Sequence, residues 1–110
     1  MLRLKEVVRI RQVLAEHNIT ILQFEILLAV ELNEGSTLSD IMGRGFLPTS
    51  STIATISSPI QRLAEGTPRT PGRGLVKKEP SPHHKNASLL YLTKDGREVL
   101  EDIKNKLDYK

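Results

Sequence analysis

Hydroxyl side chains crowd one stretch of the chain. Thr49, Ser50, Ser51, Thr52, Thr55, Ser57 and Ser58 stand close together, and Gln61 and Arg62 follow. Interleaved with them are Ile53, Ile56, Ile60 and Leu63, the last three at offsets of three, seven and ten from the first. That spacing is one face of a helix. Pro48 to Leu63 therefore reads as a helix with a buried stripe and an outward face of short hydrogen-bonding groups. Such groups suit contacts to phosphates and base edges in a DNA major groove. A Ser/Thr-rich face is more often merely solvated, so the surrounding elements must decide.

Other chemistry finds little support. The chain has no cysteine, which excludes a disulfide framework, a thiolate metal site and a thiol redox switch. Its three histidines are His17, His83 and His84. The adjacent pair has no carboxylate pair beside it, and solvated loop histidines are the plainer meaning. Gly43-Arg-Gly45 and Gly72-Arg-Gly74 lack the strand-then-helix setting of a phosphate loop. No enzyme, cofactor or metal is expected.

Charge supports a phosphate-binding partner. The net charge is +3, and its distribution is uneven. Residues 62–97 hold eight Lys/Arg against three Asp/Glu, a surplus of five, whereas each flank carries one excess negative charge. A local basic patch is the footprint expected of nucleic-acid binding, although a solvated basic loop would look the same. At 110 residues and 38% hydrophobic, the chain suits one domain with one core. No apolar run approaches the roughly 18 residues of a membrane span, and the first residues lack a secretory pattern. A cytoplasmic protein without membrane partners is expected.

The elements that must position these groups follow in order. Residues 2–17 predict a first helix whose Leu4, Val7, Val8, Ile10, Val13 and Leu14 cover more than a narrow stripe. An apolar surface that wide predicts docking against both a core and a second subunit. Thr20, with Gln23 three residues later, is a capping box opening a second helix. That helix is apolar nearly all round to Leu32, hence central and buried. Thr37-Leu-Ser-Asp40 caps a short third helix, which Gly43-Arg-Gly45 ends. Phe46 and Leu47 are expected to plug the core beneath the following turn. Short helix, turn and amphipathic helix make a helix-turn-helix. Pro59 removes a helical hydrogen bond, so the fourth helix is expected to be either kinked or split near Ser57–Ser58.

Gly66 to Gly74 is a Gly/Pro/Arg loop, a spacer whose Arg69 and Arg73 are within range of a DNA backbone. Leu75–Glu79 and Ala87–Leu92 predict two strands around a tip at 80–86. Lys77 and Lys78 on the strand, and His84 and Lys85 at the tip, form a finger toward phosphates or a minor groove. Thr93 caps a last helix over 94–108, with Val99, Leu100, Ile103 and Leu107 on its apolar face. The two terminal helices together are expected to dimerise, through Leu4, Val7, Val8, Ile10, Leu14, Ile103 and Leu107. The fold class is mainly α with a small β-hairpin wing (α+β): a single winged helix-turn-helix domain over 1–110, with about five helices and two to three short strands.

Thr20-Ile-Leu-Gln-Phe24, Gly74-Leu-Val-Lys-Lys78 and Leu92-Thr-Lys-Asp-Gly-Arg97, in that order and spacing, resemble the multiple-antibiotic-resistance-regulator (MarR) family of bacterial and archaeal transcription factors. The resemblance runs from about residue 19 to 107. It implies a homodimer on a pseudo-palindromic operator, its fourth helix in the major groove and its wings in the flanking minor groove. Thr49, Ser50, Ser51, Thr52 and Thr55 match the family's base- and phosphate-contacting stretch, and Arg62 a later backbone contact. The wing departs from the pattern. Where the family carries Asp-x-Arg, this chain has Pro82-His-His-Lys-Asn86, and Lys85 offers a point charge rather than a fork. The loop 66–74 resembles an insertion. The resemblance also implies a small aromatic acid as a possible effector, and a prokaryotic, archaeal, viral or plasmid origin. The expected function is a sequence-specific double-stranded-DNA-binding transcriptional regulator, a repressor. The alternative is a winged-helix protein-interaction module, which the scarcity of Lys/Arg on the fourth helix favours.

Overall fold

Local hydrogen bonds set most helix boundaries. The computed structural model describes residues 3–45, 53–66, 69, 71–83 and 87–107. Among them the elements run α1 (Leu4–Glu16), α2 (Ile21–Leu32), β1 (Ser36–Thr37), α3 (Leu38–Gly43), α4 (Ile53–Leu63), β2 (Val76–Pro80), β3 (Ser88–Leu92) and α5 (Lys94–Leu107). The mainly helical winged helix-turn-helix read from the sequence is the observed architecture.

α1 ends in a left-handed turn. Asn18 has φ 54°, its N–H donates to the Ala15 carbonyl, and the Ile19 N–H reaches back to Leu14 at 3.0 Å. This is a Schellman ending with Asn in the place glycine usually takes. α2 then opens with its capping box complete. Thr20 Oγ1 accepts from Gln23 N at 3.1 Å, and Gln23 Oε1 accepts from Thr20 N at 3.0 Å. The middle of α2 is buried as expected, but Ile21 and Leu32 at its two ends are exposed. Thr37 Oγ1 accepts from Asp40 N to start α3.

α4 runs through Pro59 as one helix, so it is not split. Ile56, Ile60 and Leu63 are buried beneath it. Expected positions Phe46 and Leu47 lie outside the described residues. Residues 72–75, beyond α4, are bonded back to its end. The N–H groups of Gly72, Arg73, Gly74 and Leu75 donate to the carbonyls of Glu65, Arg62, Ala64 and Leu63. They satisfy carbonyls that a helix C-terminus otherwise leaves open. Gly72 is required there, since a Cβ would lie 2.1 Å from the Ala64 oxygen.

The wing is a three-stranded antiparallel sheet in the order β1-β3-β2. Lys77 pairs with Tyr91 and Lys78 with Leu90. α5 starts at Thr93, whose Oγ1 accepts from Gly96 N at 3.0 Å and donates to the Gly74 carbonyl at 2.6 Å. Gly96 lets this helix lie on the strand, because a Cβ would sit 2.0 Å from the Leu75 oxygen.

α1 and α5 pack on each other within one chain. His17 Nε2 and Asp102 Oδ2 are 2.7 Å apart, Lys106 pairs with Glu16 and Asp102, and Arg9 donates to the Lys106 carbonyl. This packing corrects part of the expected dimer surface. Leu14 and Ile103 are 2% and 0% exposed. They fill the chain's own core, where each apolar side chain contributes roughly 1.5–3 kcal/mol. Ile10 and Leu107 are half-buried against that core, and Val8 is half-buried. Leu4 and Val7 remain exposed.

Candidate nucleic-acid interface

α4 separates its two faces as its sequence requires. Its buried stripe fixes it to the core, and Ser58 and Arg62, one turn apart, are exposed on the other side. Thr49, Ser50, Ser51 and Thr52 lie outside the described residues, as does the side chain of Thr55. The preceding helix is held by an arginine that no local pattern marks. Arg44 Nη1 donates to Asn33 Oδ1 at 3.1 Å and to Ser36 Oγ at 2.8 Å. This ties the end of α3 to the end of α2 and to β1, which positions the helix-turn-helix from behind.

The wing is fastened to α4 through Gln61. Its amide Nε2 donates to the Gly66 carbonyl at 2.5 Å, and its Oε1 accepts from Lys78 Nζ at 2.6 Å. One amide thus joins helix, loop and strand. Lys77 stands on the opposite face of β2, as alternation along a strand demands, and its ammonium meets Glu79 Oε1 at 2.8 Å. The hydrogen bond and charge of Glu79 hold the Lys77 pKa above the ordinary lysine value. Lys77 and Lys78 therefore do not present one continuous wall of charge. His84 and Lys85 lie outside the described residues, and His83 is exposed next to them.

The basic patch of residues 62–97 is partly consumed within the chain. Arg73 Nη1 donates to the Asn18 carbonyl at 2.9 Å and Nη2 to the His17 carbonyl at 2.6 Å. It grips the end of α1. Arg97 pairs with Glu34. Arg62, Arg69 and Lys94 are exposed, and no described carboxylate pairs with them. Arg62 is thus the cation that α4 itself offers outward.

Between α3, α4 and the wing lies a cavity of about 220 Å³. Leu38, Ile60 and Leu90 give it apolar walls, and Ser39, Ser57 and Lys78 line its polar side. It is a half-open cleft rather than a closed chamber.

A short helix leading to an amphipathic helix, with a hairpin wing beside it, defines a winged helix-turn-helix protein. No protein-family model and no curated protein matches the chain. Solved structures do. A cysteine-to-serine mutant of MarR from E. coli, crystallised with operator DNA, superposes with a TM-score of 0.73 at 20% identity, covering 94% of this chain and 66% of that one. A point mutant of MepR from S. aureus, bound to an oligodeoxyribonucleotide, gives 0.74 at 18% identity, covering 92% and 67%. BpsR from Bordetella bronchiseptica, studied for control of its DNA binding by 6-hydroxynicotinic acid, gives 0.68 at 24% identity, covering 93% and 69%. The fold of this chain is MarR-like, and the chain spans about two thirds of the length of these structures.

Proposed function

We propose that this chain is a sequence-specific double-stranded-DNA-binding transcriptional regulator that acts as a homodimer and represses by occupying its operator. The observation that carries this reading is the division of α4. Ile56, Ile60 and Leu63 are buried, while Ser58 and Arg62, which pairs with no described carboxylate, face outward, beside a wing that Gln61 holds in place. The same fold occurs in a protein crystallised with operator DNA and in one bound to an oligodeoxyribonucleotide. In this reading Thr49, Ser50, Ser51, Thr52 and Thr55 meet bases and phosphates in the major groove, and Arg62 meets the backbone. Lys77, Lys78, His84 and Lys85 line the wing's approach. Leu4 and Val7 lie at the dimer contact, with Val8, Ile10 and Leu107 at its edge. A small-molecule effector is supported by the cavity beside α4, whose occupant would touch both α4 and the wing.

The test is selection from a random duplex library with purified protein. An enriched inverted repeat is expected. Retention without an enriched motif would make the chain a non-specific binder.

A second reading, a winged-helix protein-interaction module, is favoured by one observation. Arg73, Lys77, Lys78 and Arg97 all have partners within the chain, which thins the basic patch. Folded protein that retains no DNA at any salt concentration would select this reading.

A further inference from the structure

We infer that Arg73 is a positioning residue that sets the angle of α4 against the helical base formed by α1 and α5. The inference rests on the DNA-binding reading above.

Segment 72–75 is where three parts of the molecule meet. Its N–H groups close the end of α4, those of Arg73 and Leu75 reaching Arg62 and Leu63 at 2.9 and 2.7 Å. Its carbonyls receive the start of α5, where Gly74 accepts from the Thr93 hydroxyl and Leu75 from the Thr93 N–H. The side chain of Arg73 supplies the third link. Its two terminal nitrogens divide between the carbonyls of His17 and Asn18, 2.6 and 2.9 Å away. These are the cap of α1 and the left-handed residue after it. A helix C-terminus attracts a cation, and a planar fork can hold two carbonyls in fixed geometry where an ammonium cannot. Arg73 pairs with no described carboxylate, so this grip is its described role. Through one residue, the backbone fixes the end of α4 and the side chain fixes the end of α1.

In a two-fold dimer built on the terminal helices, the angle between α4 and that base sets the distance between the two recognition helices. That distance selects the half-site spacing. Arg73 thus governs which operator spacing the protein accepts without touching DNA. Removing it loses the side-chain tie between the end of α4 and the end of α1, so α4 takes a wider range of angles on its buried stripe, and binding then includes the cost of narrowing that range.

The experiment takes the operator found by selection and moves its half-sites apart or together one base pair at a time. Affinity is measured for wild type, R73A and R73K, each with its salt dependence. Wild type is expected to prefer one spacing sharply. R73A is expected to bind that operator about tenfold more weakly, with a flattened spacing preference and an unchanged salt slope. R73K is expected to flatten the spacing preference too, since it keeps the charge but loses the fork. A phosphate contact predicts the reverse: R73A lowers the salt slope by about one unit and R73K behaves like wild type. That result, or an unchanged spacing profile in both variants, overturns the inference. Should R73A fail to fold, R73K alone decides between the two. Failure of the wild type to bind any selected operator would instead overturn the DNA-binding reading.

Discussion

Two residues show how a single atom settles a position. At Gly96 an added methyl would meet the Leu75 carbonyl oxygen at 2.0 Å, against backbone that the Thr93 N–H also holds. Gly96→Ala is expected to lower stability by about 3 kcal/mol, read as a shift in the denaturant midpoint. A change below ~1 kcal/mol would mean that α5 slides away freely. Asp102 concerns charge. Hydrogen bonds from His17 first, and from Lys106 second, hold its carboxyl below the ordinary carboxylate value of 3.8. A lowered folded value means that the stabilisation is complete above the unfolded value and fades as pH falls through the folded one. The stability gap between wild type and Asp102→Asn is therefore expected to narrow as pH falls below the ordinary carboxylate range. Urea melts across that range check it, and a gap unchanged down to pH 3 would remove Asp102 from acid sensitivity.

At the scale of elements, the helix starts were legible because their signals are local. The Thr20–Gln23 box, the Thr37 cap and the Thr93 cap each close over three residues. Thr20→Ala removes the side-chain half of its box and is expected to cost about 1 kcal/mol, measured by thermal unfolding. No loss would mean that packing of α2 alone sets its start. The recognition stretch was legible in its buried face, through the spacing of Ile56, Ile60 and Leu63. Ser51→Ala combined with Thr52→Ala is expected to weaken binding to the selected operator more than to random duplex. Equal loss on both would show that Ser51 and Thr52 do not read sequence.

The whole molecule raises the question of what the terminal helices do. Pattern alone placed Leu14 and Ile103 at a dimer contact, because an apolar face does not announce which surface covers it. In the fold, those residues are buried in the core on which α1 and α5 pack, and the outward remainder of α1 is Leu4 and Val7. Val7→Asp is expected to convert a dimer to a folded monomer, as Val7 is exposed in the single chain. Sedimentation with circular dichroism checks this; a variant that stays dimeric and folded would move the contact elsewhere.

What the sequence determined by itself is what short-range physics controls. Hydrogen bonds between residues three or four apart mark the helices, and the two periods of apolar spacing separate helix from wing. Tertiary structure decided the destinations of the long side chains. Arg73 reaches carbonyls 55 and 56 residues away, and Lys78 reaches Gln61 across 17. Nothing in the local sequence distinguishes an arginine that will grip a helix end from one left for phosphate. Both are flexible, charged and hydrophilic. Which carbonyls or anions come within their reach is fixed only when the buried stripes of α1, α2, α4 and α5 pack around one core and bring distant backbone together.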